Sequence, residues 1–212
     1  MSDRKLTVIL DNASLEVVRL SNKTYQLLNA DQHMSELKQC GKSPSDCRPD
    51  ITHQCLMMLL DSPLNRAGYL NKILIRTNKN VIICVQPCTR IPRTFPRFAA
   101  LIVQLMAKFS IRSADNNGEK LIELVKGPIE QHLPSNTCVI STSIQSSNLG
   151  KVSTFAKQSN CQSIAVIIGA FAKGHLDISY ANDTVALSRY PLSAALVCAK
   201  ICSDLEEEWD VT

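Results

Sequence analysis

Residues 163–168 read Ser-Ile-Ala-Val-Ile-Ile, a run with no polar side chain after the serine and with β-branched residues dominating. A strand without a polar face has to be buried on both sides, and a parallel sheet covered by helices is the architecture that does this. Leu6 to Leu10 (Leu-Thr-Val-Ile-Leu) also reads as a buried strand. Around residues 163–168 the pattern runs strand, helix, strand, loop, helix: Thr137 to Ser141, Lys151 to Gln158, Ser163 to Ile168, a loop at Gly169, and Pro191 to Leu205. Such alternation predicts an α/β fold, a parallel sheet flanked by crossover helices.

The remaining segments follow from local chemistry. Asp31 to Gln39 reads as a short helix ended by Gly41. Asp50 stands before Ile51–Leu60, a strongly apolar helix that Pro63 must stop. The β-branched runs at 73–77 and 81–85 flank Asn78-Lys-Asn, predicting an inserted β-hairpin at about 70–86, with its polar turn and flanking lysines as an exposed projection. Thr94 caps a helix from about Phe95 to Phe109, with Pro96 in its first turn and Phe98, Leu101, Ile102, Leu105, Met106 and Phe109 on one face. Glu119 to Lys126 reads as a further helix ended by Gly127-Pro128. Pro191 suits the first turn of the last helix, and the acidic run 204–210 reads as its solvated end. With 212 residues and 45% apolar content, a single domain spanning 1–212 is expected.

Charge is distributed unevenly. Arg66, Lys72, Arg76, Lys79, Arg90, Arg93, Arg97, Lys108 and Arg112 lie between Ser62 and Ala114, a stretch without aspartate or glutamate. Taken out of the chain's 23 basic residues, they leave fewer than its 19 acidic ones. Clustered cations on an otherwise acidic chain point to a phosphate backbone, because counterion release rewards local charge density. Arg93 and Arg97 stand at a helix N-terminus, where they oppose the macrodipole, and a phosphate bound there would resolve the conflict. The charged start, Met1-Ser-Asp-Arg-Lys, and short apolar runs predict neither a secretory signal nor a membrane span, hence a soluble intracellular protein with no membrane partner. The nine cysteines, Cys40, Cys47, Cys55, Cys84, Cys88, Cys138, Cys161, Cys198 and Cys202, form no CxxC pair. No histidine stands at zinc-motif spacing from them, so they read as buried small hydrophobes and no metal site is expected.

Gly169-Ala-Phe-Ala-Lys-Gly174 follows a buried strand directly, at the end of a parallel sheet where ligands bind. Its G-x-x-x-x-G spacing imitates a phosphate loop, but His175 and Leu176 stand where lysine and a hydroxyl residue are required, which argues against a nucleotide triphosphatase. On their own, two such glycines describe ordinary turn geometry. Leu187 to Ala194 (Leu-Ser-Arg-Tyr-Pro-Leu-Ser-Ala) is a second irregular loop. Together the two could grip an adenine and ribose through main-chain groups. His53 reads as a helix-face or hydrogen-bonded core residue rather than a base, His33 and His132 lack partners in sequence, and His175 stands out by position alone.

Six strings in order, Asp11-Asn-Ala-Ser-Leu-Glu16, residues 48–56 (Arg-Pro-Asp-Ile-Thr-His-Gln-Cys-Leu), residues 60–65 (Leu-Asp-Ser-Pro-Leu-Asn), residues 90–98 (Arg-Ile-Pro-Arg-Thr-Phe-Pro-Arg-Phe), the Gly169 loop and Leu187 to Ala194, closely resemble the SPOUT-class ribosomal RNA small-subunit pseudouridine N1-methyltransferases. The resemblance runs from about Leu6 to Trp209. It implies an α/β knot with a C-terminal trefoil knot, a homodimer, S-adenosylmethionine as methyl donor, small-subunit ribosomal RNA as substrate, other ribosome assembly factors as partners, and a nucleolar location in the nucleus. Periodicity shows no knot.

Carried over residue by residue, the resemblance assigns Thr142, Gly169, Gly174, His175, Leu176, Leu187, Ser188, Arg189, Tyr190, Pro191 and Leu192 to the donor. Ser143-Ile-Gln-Ser-Ser departs from the family's usual sequence, Lys173 stands where arginine is common, and Arg189 where asparagine is. Binding through the backbone would tolerate both changes. Arg48, Arg90, Arg93 and Arg97 are implied as RNA contacts, and Arg48, steadied by Asp50, is also the candidate cation that favours the deprotonated pseudouridine ring. No general base stands out. The competing reading is a pre-ribosomal RNA-binding assembly factor or chaperone for which methylation is dispensable.

Overall fold

The computed structural model describes residues 4–20, 23–39, 41–114, 118–158, 161, 163–176 and 179–211; Cys40 lies outside them. In chain order its elements are β1 (Lys5–Ala13), β2 (Val17–Arg19), β3 (Tyr25–Leu27), α1 (Met34–Gln39), α2 (Pro49–Asp61), α3 (Pro63–Arg66), β4 (Leu70–Thr77) and β5 (Ile82–Val85). There follow α4 (Phe95–Lys108), β6 (Ser110–Arg112), β7 (Lys120–Val125), β8 (Thr137–Thr142), α5 (Val152–Gln158), β9 (Ser163–Gly169), β10 (Asp183–Val185) and α6 (Ala194–Glu208).

An eight-stranded sheet in the order β10-β8-β9-β1-β4-β5-β7-β6 organises the molecule. Its first five strands are mutually parallel, and β5, β7 and β6 extend it antiparallel. The unbroken apolar runs occupy the middle because only there are both faces covered. On one face Val8, Leu10, Ile75, Val166 and Ile168 pack into the main core with Leu56, Leu59, Phe98, Cys198 and Ile201 of the helices. On the other, Ile9, Leu74, Ala165 and Ile167 form a smaller cluster closed by Ile129, Leu133, Leu176 and Tyr180 from connecting segments.

α2 and α6 lie side by side and run the same way. A Cys55–Cys198 thiol contact, a Ser62–Cys202 contact and a bond from the Leu64 amide to Glu206 Oε1 at 3.0 Å mark successive levels. The hydrogen bond with Cys55 and burial push the Cys198 thiol up, and burial takes that of Cys202 to about 11, so both are protonated packing groups. Among the described residues no helix is long and apolar enough to cross a membrane.

Several local expectations are corrected. Residues 119–126 hold a strand, β7, not a helix: Lys-Leu-Ile-Glu-Leu-Val fits a helical stripe, but β5 offers an open edge, and Val85↔Ile122 to Ile82↔Val125 pairing fills it. The hairpin at 70–86 exists but is no projection, since β4 pairs with β1 and β5 with β7, leaving Ile73, Leu74, Ile75 and Ile83 fully buried. Only its turn stands out, with Asn80 at φ 58°. α2 starts at Pro49 behind Arg48, which puts Asp50 inside the first turn rather than before it. Pro63 stops α2 and also opens α3, whose amide at Asn65 is capped by Ser62. Pro191 precedes the last helix; Ser193 caps it, accepting from the Leu196 amide. The acidic end of α6 is not merely solvated, for Asp204 is buried and accepts from the amide of Ser153 at 2.9 Å and from its hydroxyl, at the start of α5.

Candidate functional site

The carboxyl ends of β8 and β9 open into a cavity of about 280 Å³. β9 ends at Gly169, in register with Asp11 of β1, and the Ala170 amide donates to the Asp11 carbonyl at 2.8 Å, so the loop departs from a fixed point on the central strand. Phe171 then folds back. A Cβ on Gly169 would stand 2.6 Å from its ring, and one on Gly174 3.5 Å from the other ring edge. The two glycines therefore flank an aromatic ring instead of bounding a phosphate loop. Gly174, at φ 131°, additionally takes a backbone shape closed to other residues.

Thr142, Gly169, Gly174, His175, Leu176, Leu187, Ser188, Tyr190, Pro191 and Leu192 all line this cavity. Arg189 does not; it lines an adjoining hollow with Lys151, Lys200, Asp204 and Glu207. The Thr142 hydroxyl donates to the Ile167 carbonyl at 2.9 Å, leaving only its lone pairs to the cavity. The Ser188 hydroxyl accepts from the Tyr190 amide at 3.0 Å, which makes the turn that exposes 77% of Tyr190 at the rim. Phe171, Ile144, Ala194 and Val197 also face the cavity and were not singled out from the sequence. Nothing in the spacing marks Phe171, and Ile144 lies in the segment where the resemblance fails.

Among the described residues no carboxylate lines the cavity, and Lys173 and His175 are its basic side chains. Ile168, Leu176, Leu187, Leu192 and Val197 supply apolar walls, and the two loops supply main-chain donors and acceptors. That combination suits a flat heteroaromatic ring with a polar tail, and the cradle at Gly169 leaves no room for a side chain. Across the β1–β9 end from the cavity, Arg76 holds Asp11 through a two-pronged ion pair, its second bond 2.8 Å long. Beside them, burial pushes the Tyr180 phenol up to about 12, and its hydroxyl has no hydrogen-bond partner among the described residues.

The arginines divide along α2. Arg48 Nε donates to Asp50 Oδ1 at 2.9 Å and Nη2 to Oδ2 at 2.7 Å, and these bonds push the guanidinium further up, a permanent cation in a fixed plane. Arg93 Nη1 instead meets Asp61 Oδ2 at 3.1 Å, at the other end of the helix. Asp50 and Asp61 are about 16 Å apart at 1.5 Å rise per residue. Because Cys55 faces Cys198, the Arg48 end lies level with the start of α6 and hence with the cavity, while Arg93 and Arg90 lie beyond it. Arg97 is exposed in the first turn of α4. His53 fastens this region: its Nε2 bonds the Pro92 carbonyl at 2.7 Å and its ring stacks on Phe98 at 4.5 Å. It is the core residue its position suggested. His33 and His132, which lack partners in sequence, find them in the fold, in Gln26 and the Lys126 carbonyl.

The acid-free stretch is not a single basic face. Arg76 is spent on Asp11 and Lys79 on Glu16, carboxylates brought from outside the stretch by the sheet.

A family model described as EMG1/NEP1 methyltransferase matches residues 8–206. The chain is 47% identical to the mouse protein named ribosomal RNA small subunit methyltransferase NEP1, over 98% of this chain and 83% of that protein, and 48% identical to its human counterpart over the same shares. In fold it is similar to the crystal structure of Archaeoglobus fulgidus Nep1 bound to S-adenosylhomocysteine, with a TM-score of 0.73 and 22% identity, covering 97% of this chain and 99% of that one.

Proposed function

Because the chain belongs to the EMG1/NEP1 methyltransferase family, we propose that it methylates ring nitrogen N1 of a pseudouridine in small-subunit ribosomal RNA, with S-adenosylmethionine as donor, in the course of small-subunit assembly. The observation that carries this reading is the cavity built by the 169–176 and 187–192 loops at the carboxyl ends of β8 and β9, together with a fixed guanidinium at the same end of the molecule.

When bound, S-adenosylmethionine supplies a methyl carbon already activated by its sulfonium charge. The chain's residues then have three tasks. The loops hold the adenosine portion through main-chain groups and through the apolar side chains of Leu176, Leu187 and Leu192. Phe171, Ile144 and Tyr190 narrow the mouth and exclude water. Arg48, held in one orientation by its two bonds to Asp50, stands as the cation that favours loss of the N1 proton from an extruded base. Proximity and orientation contribute much of the acceleration, and with no general base among the candidates water takes the proton in this reading. An extruded base is more accessible in an RNA loop than in a duplex.

Arg90, Arg93 and Arg97 hold the RNA backbone in this reading. Its further parts are a C-terminal trefoil knot, a homodimer, association with other assembly factors and a nucleolar location. The dimer is supported by exposed Ile144 and Tyr190 at the cavity, Leu149 at the adjoining hollow and Leu196 in the first turn of α6.

The test is tritiated methyl incorporation from labelled donor into two stem-loop RNAs that differ only in pseudouridine or uridine at one loop position. Incorporation into the first alone is expected. Label in both removes the pseudouridine assignment; label in neither, with RNA still bound, leaves an RNA-binding assembly factor.

A further inference from the structure

The end of α2, α3 and residues 87–93 enclose a groove of about 610 Å³. Among the described residues three guanidiniums line it, those of Arg66, Arg90 and Arg93, against one carboxylate, Asp61. Its walls are built rather than casual. The Asn65 side-chain Nδ2 donates to the Leu60 carbonyl at 2.9 Å and to the Pro87 carbonyl at 3.0 Å, joining one wall to the other. The Thr89 hydroxyl donates to the Leu121 carbonyl at 2.9 Å, tying the second wall to β7.

Within this frame Arg93 is 73% exposed yet held by Asp61 at 3.1 Å. Arg66 and Arg90 are exposed, and neither forms an ion pair among the described residues. Like charges gathered around one hollow repel, and the fold makes no use of two of them. A multiply accepting anion matches their surplus charge and their fork geometry. The same helix thus carries a carboxylate-held arginine at each end, Arg48 on Asp50 and Arg93 on Asp61.

We propose that this groove is a phosphodiester-binding site in which Arg66 is a third guanidinium contact beside Arg90 and Arg93, and in which Asp61 is the positioning residue for Arg93. The proposal rests on the reading of the chain as an RNA methyltransferase. It adds two residues to the substrate surface and places a phosphate about one helix length from the cavity end.

The test uses the full chain and a fluorescein-labelled stem-loop RNA with pseudouridine in its loop, followed by anisotropy across a salt series, with melting temperature as a folding control. Arg66→Ala is expected to weaken binding about tenfold, the value of one charge-assisted hydrogen bond. It also lowers the slope of log K against log salt by roughly 0.7 to 0.9, the signature of one lost phosphate contact. Arg66→Lys, which keeps the charge, retains the slope. Asp61→Asn separates positioning from simple charge. Deleting a negative charge beside a phosphate should tighten binding, whereas loss of a positioning residue weakens it and adds nothing once Arg93 is alanine.

Arg66→Ala with unchanged slope and affinity, beside a weakened Arg93→Ala, overturns the assignment of Arg66 and leaves the wider RNA reading standing. Tighter binding by Asp61→Asn overturns its positioning role. Unchanged binding by both Arg93→Ala and Arg48→Ala would instead remove the RNA reading itself.

Discussion

Gly169 illustrates how much one missing side chain can govern. Its backbone is not in the left-handed region, so alanine would cost nothing in φ and ψ. The obstacle is the Phe171 ring, whose Cε1 and Cζ would lie 2.6 and 2.8 Å from the new carbon. Because that ring lines the cavity, the least costly relief is for it to swing into the space proposed for the donor. Gly169→Ala is therefore expected to lower affinity for S-adenosylhomocysteine about tenfold in titration calorimetry, in line with overpacking costs of about 1–3 kcal/mol. The melting temperature should move little. Unchanged affinity would remove Gly169 from the donor site. Arg189 gives the complementary lesson. It stands in the same hexapeptide as its cavity-lining neighbours, yet the 188–190 turn sends it to the adjoining hollow. Sequence adjacency does not predict which side of a turn a side chain takes.

At the scale of elements, the most instructive piece is the end of α6. A run of acids at a helix terminus reads as a solvated surface, and at the carboxyl end it opposes the macrodipole. The fold assigns most of these residues partners. Asp204 bonds Ser153, Glu206 bonds the Leu64 amide, Lys151 pairs with Glu207 and Lys157 with Glu208. Two of these bonds satisfy amides in the first turns of α3 and α5 that the helices themselves leave open. Asp204→Ala leaves the Ser153 amide buried without its charged acceptor and should cost roughly 2 kcal/mol of unfolding free energy, measured by urea denaturation. Ser153→Ala should cost less, because the carboxylate keeps the amide. β7 shows the same limit in reverse. Its residue pattern fits a helix, and the open edge of β5 makes it a strand.

For the whole molecule, the cavity rim carries apolar surface the single chain does not cover. Ile144 and Tyr190 border the cavity, Leu149 and Tyr190 the adjoining hollow, and Leu196 stands 47% exposed in the first turn of α6. If this is the face on which two copies meet, Leu196→Glu should convert dimer to monomer in sedimentation velocity without loss of helical signal; a persisting dimer would move the interface elsewhere. The α/β class, the parallel strands at 6–10, 137–141 and 163–168, and the two loops at their carboxyl ends were legible from residue order, because continuous β-branched runs have few ways to be buried and glycine, proline and serine have strong local preferences. Charge counting also sufficed to mark Arg90, Arg93 and Arg97 as clustered cations, whereas Arg48 lies outside the acid-free stretch and was pointed to only by the family resemblance. Three things depended on chain segments far apart in sequence: the strand at 120–125, the acids that neutralise Arg76 and Lys79, and the spacing that places Arg48 beside the cavity level and Arg93 at the far end of α2. Each is a contact across tens of residues, and its energy exists only after the sheet has brought both partners together.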